Sequence, residues 1–445
     1  MYDLAIIGAG PGGFAAAIKA AESGLKVCLI EKDSIGGTCL NWGCIPTKSI
    51  IESIKVLHSA KRARDFGINI QDAGIDFSQI QKRKNDVVTT LRNGAESLLK
   101  AKRIDIIKAQ ARLKDKNTIE TENNSISAKN IIIATGSVPA ELENIKFDHK
   151  KIISSKDALE LSSLPSSITI IGGGFIGCEF ASIFNKLGLE VTIVELMDRL
   201  LPGTDSEISR RLQQRFKRDN IEIKKSSKVT DLKVEKKAIA KLEDGSSIES
   251  DIVLMCVGRT PNTAGLNLER IGIKTEKNRI IVDNRLKTSV PNIYAIGDAI
   301  DGYLLAHVAT YEAMIAADNI LGKEALADYT GIPSSIFTHP EISSVGITED
   351  RAKEMGLDYK VTKLPLAEVS KAHIMGETEG LIKLITEADG KRILGAHIMG
   401  ALASELISDF AISIKNGLSA DELSDTVYAH PTLSEGIWDL VKRIE

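Results

Sequence analysis

The sequence predicts an α/β protein with two related nucleotide-fold domains and a separate C-terminal domain of sheet and helix. A chain of 445 residues exceeds what one hydrophobic core usually organises. A short apolar strand, a glycine-rich turn and a helix occur in the same order twice, at residues 3–32 and 167–196. After Pro333 the pattern changes to longer apolar runs and a helical stretch at residues 402–417. We therefore place a domain boundary near residue 331.

The two copies of the near-repeat share one spacing. Their matching residues are Gly8, Gly10, Gly13 and Glu31 in the first copy and Gly172, Gly174, Gly177 and Glu195 in the second. In both copies the acid lies 23 positions after the first glycine, as a strand, turn, helix and second strand require. One such motif is weak, because a glycine-rich turn is often only a turn, but two complete copies predict two Rossmann-like domains.

The glycines and acids suit dinucleotides. A pyrophosphate must lie against backbone N–H groups at a helix N-terminus, so the nearby chain needs residues without side chains. Glu31 and Glu195 can each accept hydrogen bonds from ribose hydroxyls and would repel a 2′-phosphate. This predicts FAD at the first site and NAD at the second. Arg199, just past the second acid, could meet a 2′-phosphate, but Glu195 favours NAD over NADP.

Composition and charge exclude several functions. With 43% hydrophobic residues, 26% charged residues and a formal charge of −3, the chain looks like an ordinary globular protein, with no reason to expect nucleic acid or an anionic membrane as a partner. The basic segment at residues 210–220 lies where Ile208, Leu212 and Phe216 recur every four residues, which predicts the solvated side of an amphipathic helix. We expect no metal site.

The ends of the chain and its cysteines predict a cytoplasmic protein. The first strand begins at Leu4, leaving no room for a secretory signal, and no apolar run approaches the roughly 18 to 20 residues of a membrane helix. Five cysteines, an odd number, favour a reducing compartment. We expect Cys28, Cys178 and Cys256 to be small buried hydrophobes.

Cys39 and Cys44 are the cysteines most suggestive of chemistry. In an ideal helix their Cα atoms would be roughly 8 to 9 Å apart, whereas a disulfide requires about 4.4 to 6.8 Å. If they are bonded, the backbone leaves helical geometry between them, and Gly43 with Pro46 permits such a turn. Once reduced, Cys44 would lie near the positive end of the helix that contains Lys48, which lowers a thiol's pKa. The alternative is two free buried cysteines.

Several motifs resemble the pyridine nucleotide-disulfide oxidoreductases, in that family's order and over essentially the whole chain. They are GGTCLNWGCIPTK at residues 36–48, YAIGDA at 294–299, LLAHVATYEA at 304–313, FTHPEISSVG at 337–346 and AHPTLSE at 429–435. The resemblance implies an FAD-binding domain at residues 1–144, an NAD-binding domain at 145–262, a segment returning to the FAD domain at 263–331 and a dimerisation domain at 332–445. We expect FAD and NAD as cofactors.

The resemblance also implies roles for individual residues. Cys39 would form the mixed disulfide with substrate, and Cys44 would lie against the flavin as a thiolate. Lys48 would lie near the flavin's reactive nitrogen and pair with Glu179. The remaining expected cofactor contacts are Gly136, Asp298 and Ala306 for FAD and Gly258 for NAD.

His430 and Glu435 are the expected acid–base pair. Thiol exchange needs a base, and imidazole has a suitable pKa that a nearby carboxylate can support. A histidine beside a proline is by itself more often a loop residue. In the family this pair comes from the second subunit of a homodimer and meets the cysteines of the first.

The resemblance favours oxidation of dihydrolipoamide, or of a lipoyl carrier domain, by NAD⁺. It implies a 2-oxo acid dehydrogenase complex as a further candidate partner. Trp42 stands where many relatives have a smaller residue, which leaves the width of the disulfide pocket open. A glutathione reductase-like NAD(P)H-dependent enzyme is the nearest alternative. A mercuric reductase-like enzyme is disfavoured because no cysteine lies near the C-terminus. A flavoprotein with only a structural role is disfavoured by the cysteines and the His–Glu pair.

Overall fold

The structure, a computed structural model, describes residues 1–444, which form 24 strands and 13 α-helices. The strands are β1 (Tyr2–Ile7), β2 (Val27–Glu31), β3 (Asp105–Lys108), β4 (Arg112–Asp115), β5 (Thr118–Glu120), β6 (Ser125–Ile133), β7 (Ser137–Pro139), β8 (Ile152–Ile153), β9 (Ser167–Ile171), β10 (Glu190–Val194), β11 (Glu222–Lys224), β12 (Val229–Val234), β13 (Ala238–Leu242), β14 (Ser247–Ser250), β15 (Ile252–Met255), β16 (Arg259–Pro261), β17 (Thr275–Glu276), β18 (Arg279–Ile280), β19 (Ile293–Ala295), β20 (Ser334–Ile336), β21 (Glu341–Gly346), β22 (Tyr359–Pro365), β23 (Leu381–Glu387) and β24 (Ile393–Gly400). The helices are α1 (Pro11–Glu22), α2 (Gly37–Trp42), α3 (Cys44–Lys61), α4 (Phe77–Ala101), α5 (Ser155–Leu159), α6 (Phe175–Lys186), α7 (Ser206–Arg218), α8 (Ala306–Ile320), α9 (Glu349–Glu354), α10 (Ser370–Met375), α11 (Ala403–Asn416), α12 (Ala420–Asp425) and α13 (Glu435–Val441).

The chain divides into two units. The first contains residues 1–140, 155–163 and 258–328, and the second contains residues 141–154, 164–257 and the chain from 329 onward. Each unit is therefore assembled from three separate segments. The predicted boundaries of the FAD, NAD and dimerisation domains stay a prediction.

The first unit is built on a sheet of strand order β3-β2-β1-β6-β5-β4, in which β19 also pairs with β6. β1 runs parallel to both β2 and β6, and its Leu4, Ala5 and Ile6 are fully buried. Because the chain continues to opposite sides of β1, the carboxyl end of this strand is a switch point, where open α/β sheets bind ligands. The first glycine-rich turn follows β1 at this edge.

The second unit repeats this arrangement and adds another layer. Its parallel sheet has the order β11-β10-β9-β15-β8, and the second glycine-rich turn follows β9. The antiparallel sheet β20-β21-β24-β23-β22 packs against α11 and α13. The predicted fold class, two Rossmann-like domains followed by a mixed domain, is confirmed.

Helix α7 confirms the predicted amphipathic helix and corrects one detail. Ile208, Leu212 and Phe216 are buried. The expectation that its charges face solvent is wrong for Arg215, whose guanidinium donates to Asp219 at 2.9 Å and to Glu379 at 2.7 Å. The polar face of this helix therefore binds the loop before β23.

A buried lysine forms the most enclosed charge cluster of the second unit. The Lys383 ammonium on β23 donates to both oxygens of Asp205, at 3.0 and 2.8 Å, and to Glu349 at 2.7 Å. Lys383 is 1% exposed and Asp205 is 0% exposed. Asp205 also caps α7 by accepting from the amide of Glu207. One cation thus offsets charges from the start of α7 and from α9.

Lys383→Met is expected to lower the free energy of unfolding by about 3 to 5 kcal/mol, because it leaves buried carboxylates without their cation. Chemical denaturation measures the change. Lys363→Met is the matched control, since Lys363 pairs with Glu207 but its side chain is 44% exposed, and it should cost at most about 1 kcal/mol. Equal effects of the two substitutions would contradict the buried cluster's importance.

The same cluster predicts an acid-sensitive contribution to stability. Hydrogen bonds from Lys353 and Lys383 lower the pKa of Glu349 to about 2 from the ordinary value of 4.5. A carboxylate whose pKa is depressed in the folded state stabilises that state above its unfolded pKa and loses this effect as pH falls towards the folded value. The denaturant concentration at the unfolding midpoint should therefore decrease as the pH is lowered from 4.5 to about 2. Glu349→Gln should make this decrease smaller over the same pH range.

Candidate functional site: a dithiol pair at a break between two helices

The cysteine pair lies at a break between two helices. α2 ends at Trp42 and α3 begins at Cys44, and Gly43 between them has φ −139° and ψ −114°. A Cβ on Gly43 would lie 2.9 Å from the carbonyl oxygen of Thr38, so the break favours glycine. The backbone thus leaves helical geometry between the two cysteines, as was expected for a bonded pair, and Cys44 is the first residue of α3.

The predicted disulfide is not formed in this structure, which contains both cysteines as thiols. Their side chains are joined by a hydrogen bond, so the sulfurs are neighbours in the dithiol state. Cys39 is half-buried, whereas Cys44 is exposed. The predicted close approach of the two sulfurs is therefore present without the bond.

Electrostatics distinguish the two thiols. The hydrogen bond to Cys44, followed by burial and the charge of Cys44, raises the pKa of the Cys39 thiol far above its ordinary value. The charge of Lys48 on α3 acts in the opposite direction but does not offset these causes. The hydrogen bond and the burial both disfavour ionisation of Cys39, so Cys39 is the donor in its contact with Cys44.

Trp42 next to the pair has a specific contact. The Lys156 ammonium on α5 lies 4.1 Å from the centre of the Trp42 ring, which is a cation–π geometry. Trp42 is the last residue of α2 and is half-buried. Its ring therefore packs against Lys156 of α5, which gives this large side chain a structural contact beside the cysteine pair.

The first and third glycines of each nucleotide motif are required by the chain itself. Gly8 has φ +102°, and a Cβ on Gly13 would lie 1.9 Å from the carbonyl oxygen of Gly8. Gly172, with φ +104°, and Gly177 repeat the same relation with the same 1.9 Å distance. These glycines let the helix pack closely on the preceding turn.

The middle glycines show a different requirement. Gly10 and Gly174 have φ values of −66° and −74°, which any residue adopts, and a Cβ on either would meet nothing within 4 Å. The fold does not need glycine there. Each lies in open space at the N-terminus of a helix, where backbone N–H groups suit a phosphate. The surfaces at α1 and α6 therefore fit a dinucleotide pyrophosphate.

Gly174→Ala is expected to leave folding and flavin content unchanged and to weaken NADH binding by about tenfold or more, because the methyl occupies the space of the pyrophosphate. Titration of NADH measures the change. Gly177→Ala is the contrasting variant, since it should also destabilise the second unit. Unchanged NADH affinity in Gly174→Ala would contradict the assignment of this turn.

The two acids bind their own loops. Glu31 accepts from the amide of Ala9 at 2.7 Å, and Glu195 accepts from the amides of Gly173 and Met197 at 2.5 and 2.7 Å. The sequence did not predict that these acids hold their own loops, because the spacing of residues does not show which backbone amides a carboxylate accepts from. Contact with ribose hydroxyls stays a prediction.

Arg199 is occupied by other groups. Its guanidinium donates to the Asp350 carboxylate at 3.2 Å and to the carbonyl oxygen of Pro202 at 3.3 Å. These contacts agree with the preference for NAD over NADP at Glu195.

The remaining residues expected to contact a cofactor, three of them FAD and Gly258 NAD, lie in distinct local structures of the first unit. Asp298 is in a 3-10 turn at Gly297–Ala299, and its carboxylate accepts from the Ser137 hydroxyl. Ala306 is the first residue of α8, so its amide belongs to a helix N-terminus. Gly136 has φ +67° and Gly258 has φ +120°. Their cofactor contacts stay predictions.

Lys48 and Glu179 were expected to pair. Lys48 lies in α3, one turn after Cys44. Glu179 lies in α6, is 5% exposed and accepts from the amide of Phe337 at 2.9 Å. Their pairing stays a prediction.

His430 and Glu435 form a hydrogen-bonded pair. The distance from His430 Nδ1 to Glu435 Oε1 is 2.8 Å, and the other oxygen of Glu435 accepts from the Thr432 amide at 2.7 Å. These two contacts, the amide first, lower the pKa of Glu435. The imidazole is 72% exposed. An ionised carboxylate thus orients the ring through Nδ1 and leaves Nε2 for proton exchange.

The other cysteines largely follow expectation. Cys28 on β2 and Cys178 on α6 are buried, and burial raises the pKa of both thiols, which makes them inert. Cys256 directly follows β15 and part of the residue is exposed, but burial raises the pKa of its thiol as well. Within residues 1–444, no helix has the length and apolar character needed to cross a membrane.

Comparison with known proteins identifies the class. Residues 2–313 match the pyridine nucleotide-disulphide oxidoreductase family, and residues 332–441 match the dimerisation domain of the same family. The chain belongs to this family of flavoprotein disulfide oxidoreductases. The predicted cofactors, FAD and NAD(H), are those of the family, and the predicted enzyme class is confirmed.

Particular relatives cover almost the whole chain. The dihydrolipoyl dehydrogenase of Bacillus subtilis is 41% identical over 450 residues, covering 97% of this chain and 94% of the relative. That of Chlamydia pneumoniae is 40% identical, covering 98% and 95%. Among solved structures, the HOCl-induced flavoprotein disulfide reductase RclA from Escherichia coli has a TM-score of 0.91 and 31% identity, covering 100% of both chains.

Proposed function

We propose that this chain is a dihydrolipoyl dehydrogenase, which oxidises dihydrolipoamide to lipoamide with NAD⁺. The observation that supports this most strongly is the Cys39–Cys44 pair at the break before α3, with the two side chains joined by a hydrogen bond. The relatives with about 40% identity over nearly the full length carry this name.

The dithiol half of the reaction uses this chain's own residues. Starting from the Cys39–Cys44 disulfide, one substrate thiol gives its proton to His430, and its sulfur attacks Cys39. The disulfide breaks, and Cys44 leaves as a thiolate. The second substrate thiol loses its proton to water and attacks the substrate sulfur of the mixed disulfide, which releases the cyclic disulfide product and the Cys39 thiolate. Cys39 then regains a proton from His430. Two thiols are oxidised and the cysteine pair is reduced.

The nucleotide motifs supply the sites for the electron carriers. Gly8, Gly10 and Gly13 with α1 would hold FAD, and Gly172, Gly174 and Gly177 with α6 would hold NAD. When bound, FAD accepts the electron pair of the reduced cysteines and passes it to NAD⁺ as a hydride.

The working protein is proposed to be a homodimer in which His430 and Glu435 of one subunit serve the cysteines of the other. The matched dimerisation domain and the exposure of the His430 ring support this. A lipoyl carrier domain and a 2-oxo acid dehydrogenase complex are the proposed partners. A cytoplasmic location is proposed because five cysteines, an odd number, do not suit the disulfide framework of a secreted protein.

The test is a substrate comparison with purified holoenzyme. Dihydrolipoamide with NAD⁺ and glutathione disulfide with NADPH are assayed in parallel. The same assays with Glu195→Gln probe the proposed NAD site. Turnover with dihydrolipoamide and NAD⁺ at least 100-fold above the other pair is expected. Preference for glutathione disulfide and NADPH would instead support the glutathione reductase-like alternative.

A further inference from the structure

Arg259 is a buried cation in the first unit that the proposed reaction does not use. It begins β16, which pairs antiparallel with β7, and its side chain is 11% exposed. Arg259 Nε donates to the Ser137 hydroxyl oxygen at 2.6 Å, and Nη2 donates to the Ser137 carbonyl oxygen at 2.7 Å. The Ser137 hydroxyl donates in turn to the Asp298 carboxylate. The guanidinium is therefore connected to Asp298 through one hydroxyl.

Two negative groups partly offset the cost of burying the Arg259 charge. Arg259 Nε lies 3.8 Å from Asp298 Oδ2. Burial is the largest influence on the guanidinium and lowers its pKa, while the charges of Asp298 and Cys44 act in the opposite direction without cancelling it. A buried cation is stable only when anions offset its loss of hydration. The positive charge of Arg259 therefore interacts with both the proposed flavin-binding acid and the proposed electron donor.

We propose that Arg259 is a positioning residue of the dithiol–flavin centre, which orients Asp298 through Ser137 and stabilises the Cys44 thiolate by its charge. The assignment of Asp298 and Cys44 rests on the proposed function. The two effects are separable, because the orientation needs the two-pronged contact with Ser137, whereas the stabilisation needs only the positive charge.

Other groups also act on Cys44 within this unit. Cys39 on α2 donates a hydrogen bond to it, and Lys48 on α3 contributes a second positive charge close to the pair. Removing Arg259 therefore leaves one cation in place. The expected change is a partial shift of the thiolate's titration and not its loss.

The test uses two-electron-reduced holoenzyme and two measurements. The first is the pH midpoint of the long-wavelength absorption of a thiolate against oxidised flavin, and the second is FAD retention during gel filtration in dilute urea. Arg259→Gln is expected to raise the midpoint by about one pH unit and to release FAD. Arg259→Lys should keep the midpoint near the wild-type value but release FAD. Arg112→Gln, which removes an exposed arginine of the same unit, is the control.

Ser137→Ala keeps the proposal testable if Arg259→Gln does not fold. It preserves the guanidinium but breaks the link to Asp298, so FAD should be released while the midpoint stays unchanged. An unshifted pH midpoint in Arg259→Gln would overturn the inference. Retention of FAD equal to that of the wild type in Arg259→Lys and Ser137→Ala would also overturn it. If wild-type holoenzyme shows no long-wavelength band, the proposed function itself fails.

Discussion

Cys44→Ser is expected to reduce dihydrolipoamide oxidation by about 10⁴-fold or more, because the proposed substrate attack then has no disulfide to open. Reduction of bound flavin by NADH should survive, since the second glycine motif and Glu195 lie in a different unit from the cysteines. Stopped-flow spectroscopy with each reductant separates the two half-reactions.

Cys28→Ser is the matched control, because Cys28 is buried on β2 with a raised pKa and has no proposed role. It should change dithiol turnover only through stability. Dithiol oxidation by Cys44→Ser at a rate near that of the wild type would remove the proposed electron route. Loss of flavin reduction by NADH in the same variant would point instead to a disrupted flavin site.

His430→Gln is expected to lower dithiol oxidation by about 10² to 10⁴-fold, which is the usual contribution of a positioned base. The physical reason is that substrate thiols are mostly protonated at neutral pH and, in the proposed mechanism, give their proton to His430 before they attack. The deficit should shrink as pH rises, because hydroxide then ionises the substrate without the imidazole. A pH series of kcat/KM from 6 to 10 therefore gives a steeper rise for the variant.

Two further variants sharpen this result. Glu435→Gln should lose less activity than His430→Gln, because the amide can still hydrogen-bond the ring but stabilises its cation less well. His373→Gln is the control, as His373 binds the carbonyl oxygen of Ala367 and lies outside the proposed site. Equal pH profiles for His430→Gln and the wild type would exclude His430 as the base.

Features set by local spacing were predictable from the sequence. The interval between Gly8 and Glu31 reflects the length of a strand, turn and helix, so the nucleotide fold followed from it. The break at Gly43 followed because five residues of ideal helix cannot place Cys39 and Cys44 within bonding reach. Both are properties of short segments, and both are present in the structure.

Features set by tertiary contacts were not predictable in this way. Arg259 and Ser137 are 122 positions apart, and no periodicity joins them. The protonation of Cys39 depends on burial and on its neighbour, which composition does not reveal. Arg215 belongs to the polar side of an amphipathic helix, and its contact with Glu379 depends on a loop 164 positions away.

The hydrogen bonds from Glu195 to its own loop affect any attempt to redesign coenzyme preference. Such designs usually exchange the acid for a small or basic residue so that a phosphorylated ribose can enter. Here that exchange would also leave the Gly173 and Met197 amides without their acceptor. An engineered variant would therefore need a replacement acceptor within the turn, or it would lose affinity for both coenzymes together.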